Sequence, residues 1–268
     1  MALEIAGPKF MGAAGDRVID FMWHEERWGK DLEKITSLPN SISDLENLAT
    51  LAKLMALRKL DLGWSRIKEI THGLEMLVNL RYLNLEGTKI REIPSGILSK
   101  LPQLQVLKFN CGKWNVEEIV SLKLECFKGP FYGVDDFNKY VGSLREGQLS
   151  HYQFRVREMT AKIDDDVFWE SEGKCVMLCN CNVSLLPKDA QTLTIFKCDN
   201  LRSSSDASYL ECTRELKSIS IWWCKEIEDI LSYSYTFPLQ SLELKYLGKL
   251  QVLFREIEEE GKDTTIFP

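Results

Sequence analysis

Leucine and isoleucine recur at a fixed spacing between residues 57 and 109 of the chain. Five apolar positions that begin at Leu57 return in the same order 23 residues later, beginning at Leu80. The two sets are Leu57, Leu60, Leu62, Ile67 and Ile70, and Leu80, Leu83, Leu85, Ile90 and Ile93. The pattern begins again at Leu104, 24 residues after Leu80. A period of this length indicates a stack of similar structural units.

Each unit begins with a Leu-x-x-Leu-x-Leu segment, whose alternation of apolar and polar residues predicts a short β-strand with one buried face. Ser65 and Thr88 follow these strands, where a small polar side chain can satisfy backbone groups as the chain turns. One unit cannot bury its apolar face alone, so the units must stack. The sequence therefore predicts an α/β repeat solenoid: a leucine-rich repeat horseshoe with a parallel concave β-sheet and an irregular convex side of helices and loops.

Strand patterns of the same kind return after residue 174, in the segments CVMLC, LTIF, SISIW and SLEL. We predict strands that begin near Lys59, Tyr82, Val106, Val176, Thr192, Ser218 and Ser241. The period is less regular between the two groups. There, residues 121–127 and 151–156 are predicted to form strands, and residues 134–144 are predicted to form an amphipathic helix.

The spacing is also irregular where the first repeats begin. If Ile35 corresponds to Ile67, the two residues lie 32 positions apart, which is neither one period nor two. Either half a repeat is missing near Leu51, or residues 45–57 contain a longer helix within one long irregular repeat. The sequence leaves both interpretations open.

Composition limits the classes of partner and the cellular compartment that we expect for this chain. A net charge of −6 and a pI near 5.3 argue against nucleic acid as the partner, because phosphate binding needs a basic surface. No apolar stretch has the length of a signal peptide or a transmembrane segment. Cys181, Cys198 and Cys224 take the position of Ser65 and Thr88, a structural use of small thiols that fits a reducing compartment. We therefore expect a cytoplasmic protein.

The sequence contains no pattern that predicts catalysis or cofactor binding. Its Gly-Lys pairs are not followed by Ser or Thr, which a phosphate-binding loop requires. Cys175, Cys179 and Cys181 lack the fourth ligand of a zinc site. The run Asp164–Asp166 lacks the alternation and the glycine of a calcium loop. We expect no metal, no cofactor and no enzymatic activity in this chain.

Residues between the buried leucines are predicted to face the concave surface, where repeat proteins bind their partners. The candidate binding residues are Arg58, Lys59, Trp64, Arg81, Tyr82, Lys108, Phe196, Trp222, Trp223, Lys245 and Tyr246. Strand alternation cannot bury both Trp222 and Trp223. Exposed aromatic residues beside a basic strip predict a protein partner with an acidic surface.

Several longer segments resemble the leucine-rich repeat region of plant intracellular disease-resistance proteins of the coiled-coil, nucleotide-binding type. The segments are MALEIAGPKFM, NLRYLNLEGTKIREIPSGILSKLPQLQVLKF, LTIFKCDNLRS, LKSISIWWCKEIEDI and LQSLELKYLGKLQVLFRE. The resemblance is specific in the two repeat blocks and weaker between about residues 112 and 173. In that family a MALEIA-like segment follows the module that binds ATP or ADP. This chain lacks that module and the coiled coil before it.

The resemblance implies four segments of the chain. Residues 1–31 would be the remnant of the end of the nucleotide-binding module and its linker, and residues 32–111 would be regular leucine-rich repeats. Residues 112–173 would be irregular repeats or an insertion, and residues 174–268 would be truncated C-terminal repeats. ATP or ADP is expected only in the absent upstream module.

The implied function is non-enzymatic protein recognition in plant immune defence, with pathogen sensing and autoinhibition inside a nucleotide-binding receptor. The expected partner is a pathogen effector, a guarded host protein or the nucleotide-binding module of a receptor. The alternatives are a fragment of an ATP/ADP-switching protein whose ATPase module is absent, and an inactive truncated product.

Overall fold

The computed structural model describes most of the chain between residues 54 and 255, with two short segments upstream. The described residues are 10–11, 34–35, 54–70, 73–110, 112–158, 173–203, 206–207, 209–210, 213–232 and 238–255. Within these ranges the chain consists mainly of short strands and of turns that connect them.

Parallel strands, one after another along the chain, form the main sheet. The strands of the described residues are β1 (Phe10–Met11), β2 (Lys34–Ile35), β3 (Lys59–Asp61), β4 (Tyr82–Leu85), β5 (Val106–Phe109), β6 (Cys126–Phe131), β7 (His151–Arg157), β8 (Lys174–Cys179), β9 (Thr192–Phe196), β10 (Ser218–Trp222), β11 (Asp229–Ser232), β12 (Ser241–Lys245) and β13 (Val252–Arg255). Eleven of them form one sheet, in chain order from β1 to β10 and then β12, and β11 pairs with β13. This topology confirms the predicted leucine-rich repeat solenoid with its parallel sheet.

The repeats stack in register, so that the same apolar position of each strand lies beside its equivalent on the next strand. Leu60 is paired with Leu83, Leu83 with Leu107, and Leu107 with Phe127. These four residues are each 0% exposed. Each repeat therefore supplies the apolar surface that covers the preceding one, as the periodicity predicts.

Three details of the repeat boundaries were predicted wrongly. The strand predicted for residues 121–127 lies further along the chain, because residues 121–125 turn out of the preceding helix and β6 begins only at Cys126. β8 begins at Lys174 rather than near Val176, because the long strand β7 pairs with it over its whole length.

Ile35 is paired with Leu60, 25 residues later, and so occupies a strand position rather than the position of Ile67. Apolar residues occupy both the strand positions and the convex positions of a repeat. The hydrophobic pattern alone therefore could not show which of the two positions Ile35 occupies. The segment around Leu51 lies outside the described residues.

The convex side is built from short helices and turns. Helix α1 spans Val116–Val120. Helix α2 spans Val134–Ser143 and confirms the helix predicted for residues 134–144. 3-10 turns form at Leu74–Met76 and at Leu98–Lys100, among others. Among the described residues, none of the helices combines the length and the apolar content needed to cross a bilayer.

Glu118 of α1 connects two neighbouring repeats on the convex side. Its carboxylate accepts hydrogen bonds from the backbone N–H of Gly96 at 2.7 Å and of Ser99 at 3.1 Å. These N–H groups lie at the start of a 3-10 turn, where they have no partner within the turn. Glu118 is only 8% exposed, so this carboxylate is a structural cap rather than a surface charge.

Aromatic rings replace leucine in the core of the middle repeats. Phe127 on β6 lies 5.3 Å from Tyr140 on α2 and 5.5 Å from Phe154 on β7, measured between ring centroids. Phe131 makes similar edge-to-face contacts with Phe137 at 5.3 Å and with Phe154 at 5.5 Å. β6 and β7 thereby continue the same sheet, although their sequence lacks the leucine pattern.

Small polar side chains end the strands in the way that the sequence predicts. Ser65 Oγ donates to the carbonyl oxygen of Leu62 at 2.7 Å, and Thr88 Oγ1 donates to that of Leu85 at 2.8 Å. In the later repeats, the buried thiol of Cys198 lies 3.3 Å from the carbonyl oxygen of Cys181. These groups satisfy backbone carbonyls where the chain turns away from the sheet.

Leu83 tests the stacking of the repeats. Leu83→Ala removes a side chain that is 0% exposed between two matched leucines, so we expect the free energy of unfolding to fall by about 2–5 kcal/mol in urea denaturation. The matched control is Leu253→Ala, because Leu253 is 44% exposed and its loss should change stability by less than about 0.5 kcal/mol. Equal effects of the two substitutions would contradict the stacked core.

Candidate binding surface

Strand alternation divides the predicted binding residues among three locations. Lys59, Tyr82, Lys108, Phe196, Trp222 and Lys245 occupy strand positions on the concave side, opposite the buried leucines. Arg58 and Arg81 immediately precede β3 and β4, and both are exposed at the flank where the strands begin. Trp64, Trp223 and Tyr246 follow the strands, at the opposite flank, which we call the rim. The predicted concave set is therefore not one continuous face.

Tyr82 lies between two lysines on the concave side. Lys59 Nζ is 4.5 Å from the centre of the Tyr82 ring, and Lys108 Nζ is 5.9 Å from it. The Tyr82 hydroxyl donates to Asp61 at 3.4 Å. Burial, together with the negative charge of Asp61, raises the pKa of Tyr82 to about 12. Tyr82 is consequently a neutral hydrogen-bond donor at neutral pH, placed between two ammonium groups and the carboxylate of Asp61.

Lys128 on β6 extends this basic region across the sheet. Its backbone position is paired with Lys108 on one side and with Gln153 on the other. Its ammonium group forms a 2.8 Å ion pair with Glu86. The thiol of Cys126 lies nearby; burial raises its pKa, while the charges of Lys108 and Lys128 act in the opposite direction.

The concave side of the described strands from β3 to β12 carries more cations than carboxylates. The cations are Lys59, Lys108, Lys128, Arg155, Arg157 and Lys245. The carboxylates are Asp61, Glu86 and Glu243. Because the whole chain has a net charge of −6, this face is locally positive on an acidic protein. Lys128, Arg155 and Arg157 were not predicted as site residues. Strand alternation in HYQFRVR, residues 151–157, would have placed the two arginines there, whereas the strand predicted for residues 121–127 ended before Lys128.

An apolar cluster separate from the main core lies on the concave side of β8, β9 and β10. Its buried members are Met177, Cys179 and Phe196, with Trp222 packed against them. Arg157 is paired with Cys179, and Arg155 with Met177, across the β7–β8 ladder. Burial raises the pKa of the Cys179 thiol to about 11, against the opposing charges of these two arginines. The arginines border the cluster on its β7 side.

Phe196 does not offer the exposed surface that the sequence predicts for it. It is only 6% exposed, because its neighbours on the curved sheet pack around it. Lys197 adds its ammonium group over the ring, 5.1 Å from the centroid. Phe196 is therefore a packing residue beneath the concave surface, and Trp222 is the half-buried aromatic residue beside it at the surface.

Trp222 lies beneath a charged pair. Lys245 Nζ is 5.1 Å from the centre of the Trp222 ring and 2.5 Å from a carboxylate oxygen of Glu243. The hydrogen bond from Lys245 lowers the pKa of Glu243, so this carboxylate stays ionised at neutral pH. An aromatic ring, an ammonium group and a carboxylate thus meet at the β10–β12 end of the face.

The rim aromatics adopt an unusual backbone conformation. Trp64, Trp223 and Tyr246 have φ angles of 61°, 63° and 56°, in the left-handed region. The same repeat position is taken by Gly87 and Asn180, residue types that adopt this conformation readily, and by Lys197, whose φ is 54°. Each bulky residue there costs of order 1–3 kcal/mol of backbone strain, which the sequence pattern does not reveal.

The rim side chains are exposed in spite of their size. Trp223 and Tyr246 stack with their ring centroids 4.1 Å apart and their planes at 22°, while remaining 42% and 66% exposed. Trp64 is 63% exposed and lies against Gly87, where a Cβ atom would come within 2.5 Å of its ring. Large exposed aromatics held in fixed positions are typical of interface anchors.

The cysteines considered as metal ligands do not converge. Cys179 belongs to the concave cluster, whereas Cys181 is buried in the main core on the other side of the sheet. Among the described residues, no group of three or more His, Cys, Asp or Glu side chains is arranged to hold a metal ion. The run Asp164–Asp166 lies outside those residues.

Comparisons with known proteins give similarity at the level of the fold only. No protein-family model and no curated protein sequence matches the chain. Among solved structures, the LRIM1/APL1C complex is 13% identical over 85% of this chain and 45% of that one, with a TM-score of 0.48. The TLR13–ssRNA13 complex is 17% identical over 85% of this chain and 38% of that one, with a TM-score of 0.45.

A third similar structure is the functional domain of InlJ from Listeria monocytogenes, described as including a cysteine ladder. It is 14% identical over 83% of this chain and 60% of that one, with a TM-score of 0.38. The chain therefore spans between about two fifths and three fifths of the length of these three proteins. Identities and TM-scores this low define no function.

The stacked rim pair can be tested with a double-mutant cycle. Trp223→Ala and Tyr246→Ala remove an aromatic contact at 4.1 Å, so we expect their effects on the free energy of unfolding to be non-additive by about 0.5–1.5 kcal/mol. The control cycle pairs Trp64→Ala with Tyr246→Ala, which lie on distant repeats and should be additive. Additivity in both cycles would contradict the stacking of Trp223 on Tyr246.

Proposed function

We propose that this solenoid is a protein-recognition module whose concave face binds a partner with an acidic surface. The observation that carries the proposal is the excess of lysine and arginine on the concave side of a chain whose net charge is −6. Opposite charge accelerates encounter and favours one orientation, while buried aromatic contacts supply most of the affinity. Trp222 on the face, and Trp223 and Tyr246 at the adjacent rim, are aromatic residues available for that role.

Within this proposal, the module acts without enzymatic activity in cytoplasmic plant immune defence. The resemblance of the repeat segments to plant disease-resistance proteins supports this assignment. The partner would be a pathogen effector, a guarded host protein or the nucleotide-binding module of a receptor. In the last case the module holds the receptor in its inactive state, and ATP or ADP binds in that partner module.

The binding surface can be tested with single substitutions in a partner capture followed by calorimetric titration. The partner captured from plant extract by the wild-type chain is purified and titrated against three variants: Trp222→Ala, Lys128→Glu and Arg81→Glu. We expect the first two to weaken binding about tenfold or more, because they remove an aromatic anchor and reverse a central charge. Arg81→Glu should weaken it less, because Arg81 lies at the flank and is exposed.

The matched control for charge reversal is Lys100→Glu, since Lys100 is exposed on a convex 3-10 turn. It should leave the affinity unchanged. If Lys100→Glu weakens binding of the partner while Trp222→Ala and Lys128→Glu leave its affinity unchanged, the partner binds the convex side and not the concave face. Saturable binding of ATP to this chain alone would overturn the assignment of the nucleotide to a separate module.

A further inference from the structure

The main sheet ends at β12 in the part of the chain that the structure describes. β12 is paired with β10 on one side, in register from Ser241 to Lys245, and no described strand is paired with its other side. The edge of a sheet presents backbone N–H and C=O groups that can pair with a further strand. The open edge of β12 is therefore a surface on which another polypeptide segment can add.

Residues of β12 that bond to the preceding repeat alternate with residues that do not. The Ser241 N–H donates to the carbonyl oxygen of Lys217 at 3.0 Å, and the carbonyl oxygen of Lys245 accepts from the Trp223 N–H at 3.0 Å. Because successive residues of a parallel strand bond to opposite neighbours, the alternate residues direct their N–H groups to the open edge. These residues are Leu242, Leu244 and Tyr246.

The backbone N–H of Tyr246 differs from its counterparts in the earlier repeats. The N–H groups of Trp64, Asn180, Lys197 and Trp223, which share its left-handed backbone, donate to carbonyl oxygens of the next repeat at 2.7, 2.9, 3.0 and 3.0 Å. Within the described ranges, no backbone carbonyl accepts from Tyr246. Tyr246 thus holds a donor toward the place that a further strand would occupy.

The apolar side of β12 is incompletely covered as well. Leu242 and Leu244 are paired with Ile219 and Ile221 of β10, which are only 1% and 2% exposed. The two leucines themselves are only partly buried. The same holds for the neighbouring leucines Leu239, Leu247 and Leu250. A polypeptide that covers this edge therefore needs apolar residues beside its strand.

A second copy of β12 in the antiparallel direction meets all these requirements. With Leu244 on a two-fold axis, each Leu244 lies opposite the other, and both direct their N–H and C=O groups across the axis. Each Tyr246 N–H then points to Leu242 of the other copy, and leucines cover leucines. Each Glu243 lies opposite a Lys245, so the charges of the strand are complementary to themselves.

We propose that two copies of this chain associate through β12, antiparallel about Leu244, and form one continuous sheet across a two-fold axis. This inference goes beyond the proposed function and does not depend on the partner that the concave face binds. Residues directly opposite in an antiparallel pair face the same side of the sheet. The dimer therefore presents the concave faces of both copies on one side.

Charge reversal at one position at a time tests the pairing of the strands. Lys245→Glu places glutamates opposite glutamates across the axis, and Glu243→Lys places lysines opposite lysines. We expect sedimentation equilibrium of the full wild-type chain, at about 1–100 µM, to give twice the chain mass of 30.9 kDa at the higher concentrations. Each single variant should raise the dissociation constant of the dimer about tenfold or more.

An equimolar mixture of the two single variants keeps the test independent of either variant alone. In the mixed dimer each introduced lysine lies opposite an introduced glutamate, so we expect the mixture to dimerise although neither variant does so by itself. The double variant Glu243→Lys with Lys245→Glu should dimerise for the same reason. Lys100→Glu, on the convex side, is the matched control and should dimerise like the wild type. Circular dichroism checks that each variant is folded.

Hydrogen exchange of the Tyr246 amide provides a second measurement. We expect this amide to be protected in the dimer and to lose protection in the monomeric single variants, while the Trp223 amide stays protected in both. A wild-type chain that remains monomeric over this concentration range, or single variants that dimerise like the wild type, would overturn the proposal. So would assembly beyond the dimer, which indicates head-to-tail contacts. Protection of Tyr246 in a monomer would assign the edge to another segment of the same chain and would equally overturn it.

Discussion

In-register pairing of parallel strands is the constraint on which the rest of this molecule depends. From β3 to β10, each repeat contributes one strand of three to seven residues. A single repeat is therefore too small to bury its own leucines. Pairing of Leu60, Leu83 and Leu107 lets each repeat cover the next. Because side chains alternate along a strand, the same register gathers every alternate polar residue on the concave side. The binding face is a consequence of core packing.

The concave face and the rim use different physical means to present side chains. On the face, cations lie beside aromatic rings: Lys59 and Lys108 beside Tyr82, and Lys245 above Trp222. At the rim, a left-handed backbone directs large aromatic residues outward at positions where glycine or asparagine would cost less. Strain of this kind is retained where the surrounding repeats enforce it. Lys197 adopts the same conformation, so the left-handed backbone belongs to this position of the repeat and not to its aromatic residues alone.

Regular leucine spacing made much of the sheet predictable. Strands β3, β4 and β5 begin where Leu-x-x-Leu-x-Leu predicts, because each leucine has the same role in successive repeats. The middle repeats were harder to predict from the sequence. Phe127, Phe154 and Tyr140 of α2 fill the core there with aromatic rings, so the leucine period disappears. Alternation still identified β7, but it placed the strand before it at residues 121–127, whereas β6 spans Cys126–Phe131.

The candidate site was predictable only in part. Alternation correctly placed Lys59, Tyr82 and Trp222 on the concave side. It could not show that Phe196 would be 6% exposed, because burial there depends on neighbours from β8 and β10. Nor could it show the left-handed backbone of Trp223, because tryptophan has no preference for that conformation.

One unbroken sheet carries both the basic region of β5 to β7 and the aromatic end at β10 and β12. Native-state hydrogen exchange measures this directly, because amides in one cooperative unit open with a common free energy. We expect the ladder amides of β6 and β7 to exchange together with those of β5, β8 and β9, through a single opening. Exchange of β6 and β7 at a distinctly lower free energy than the strands on both sides would contradict it.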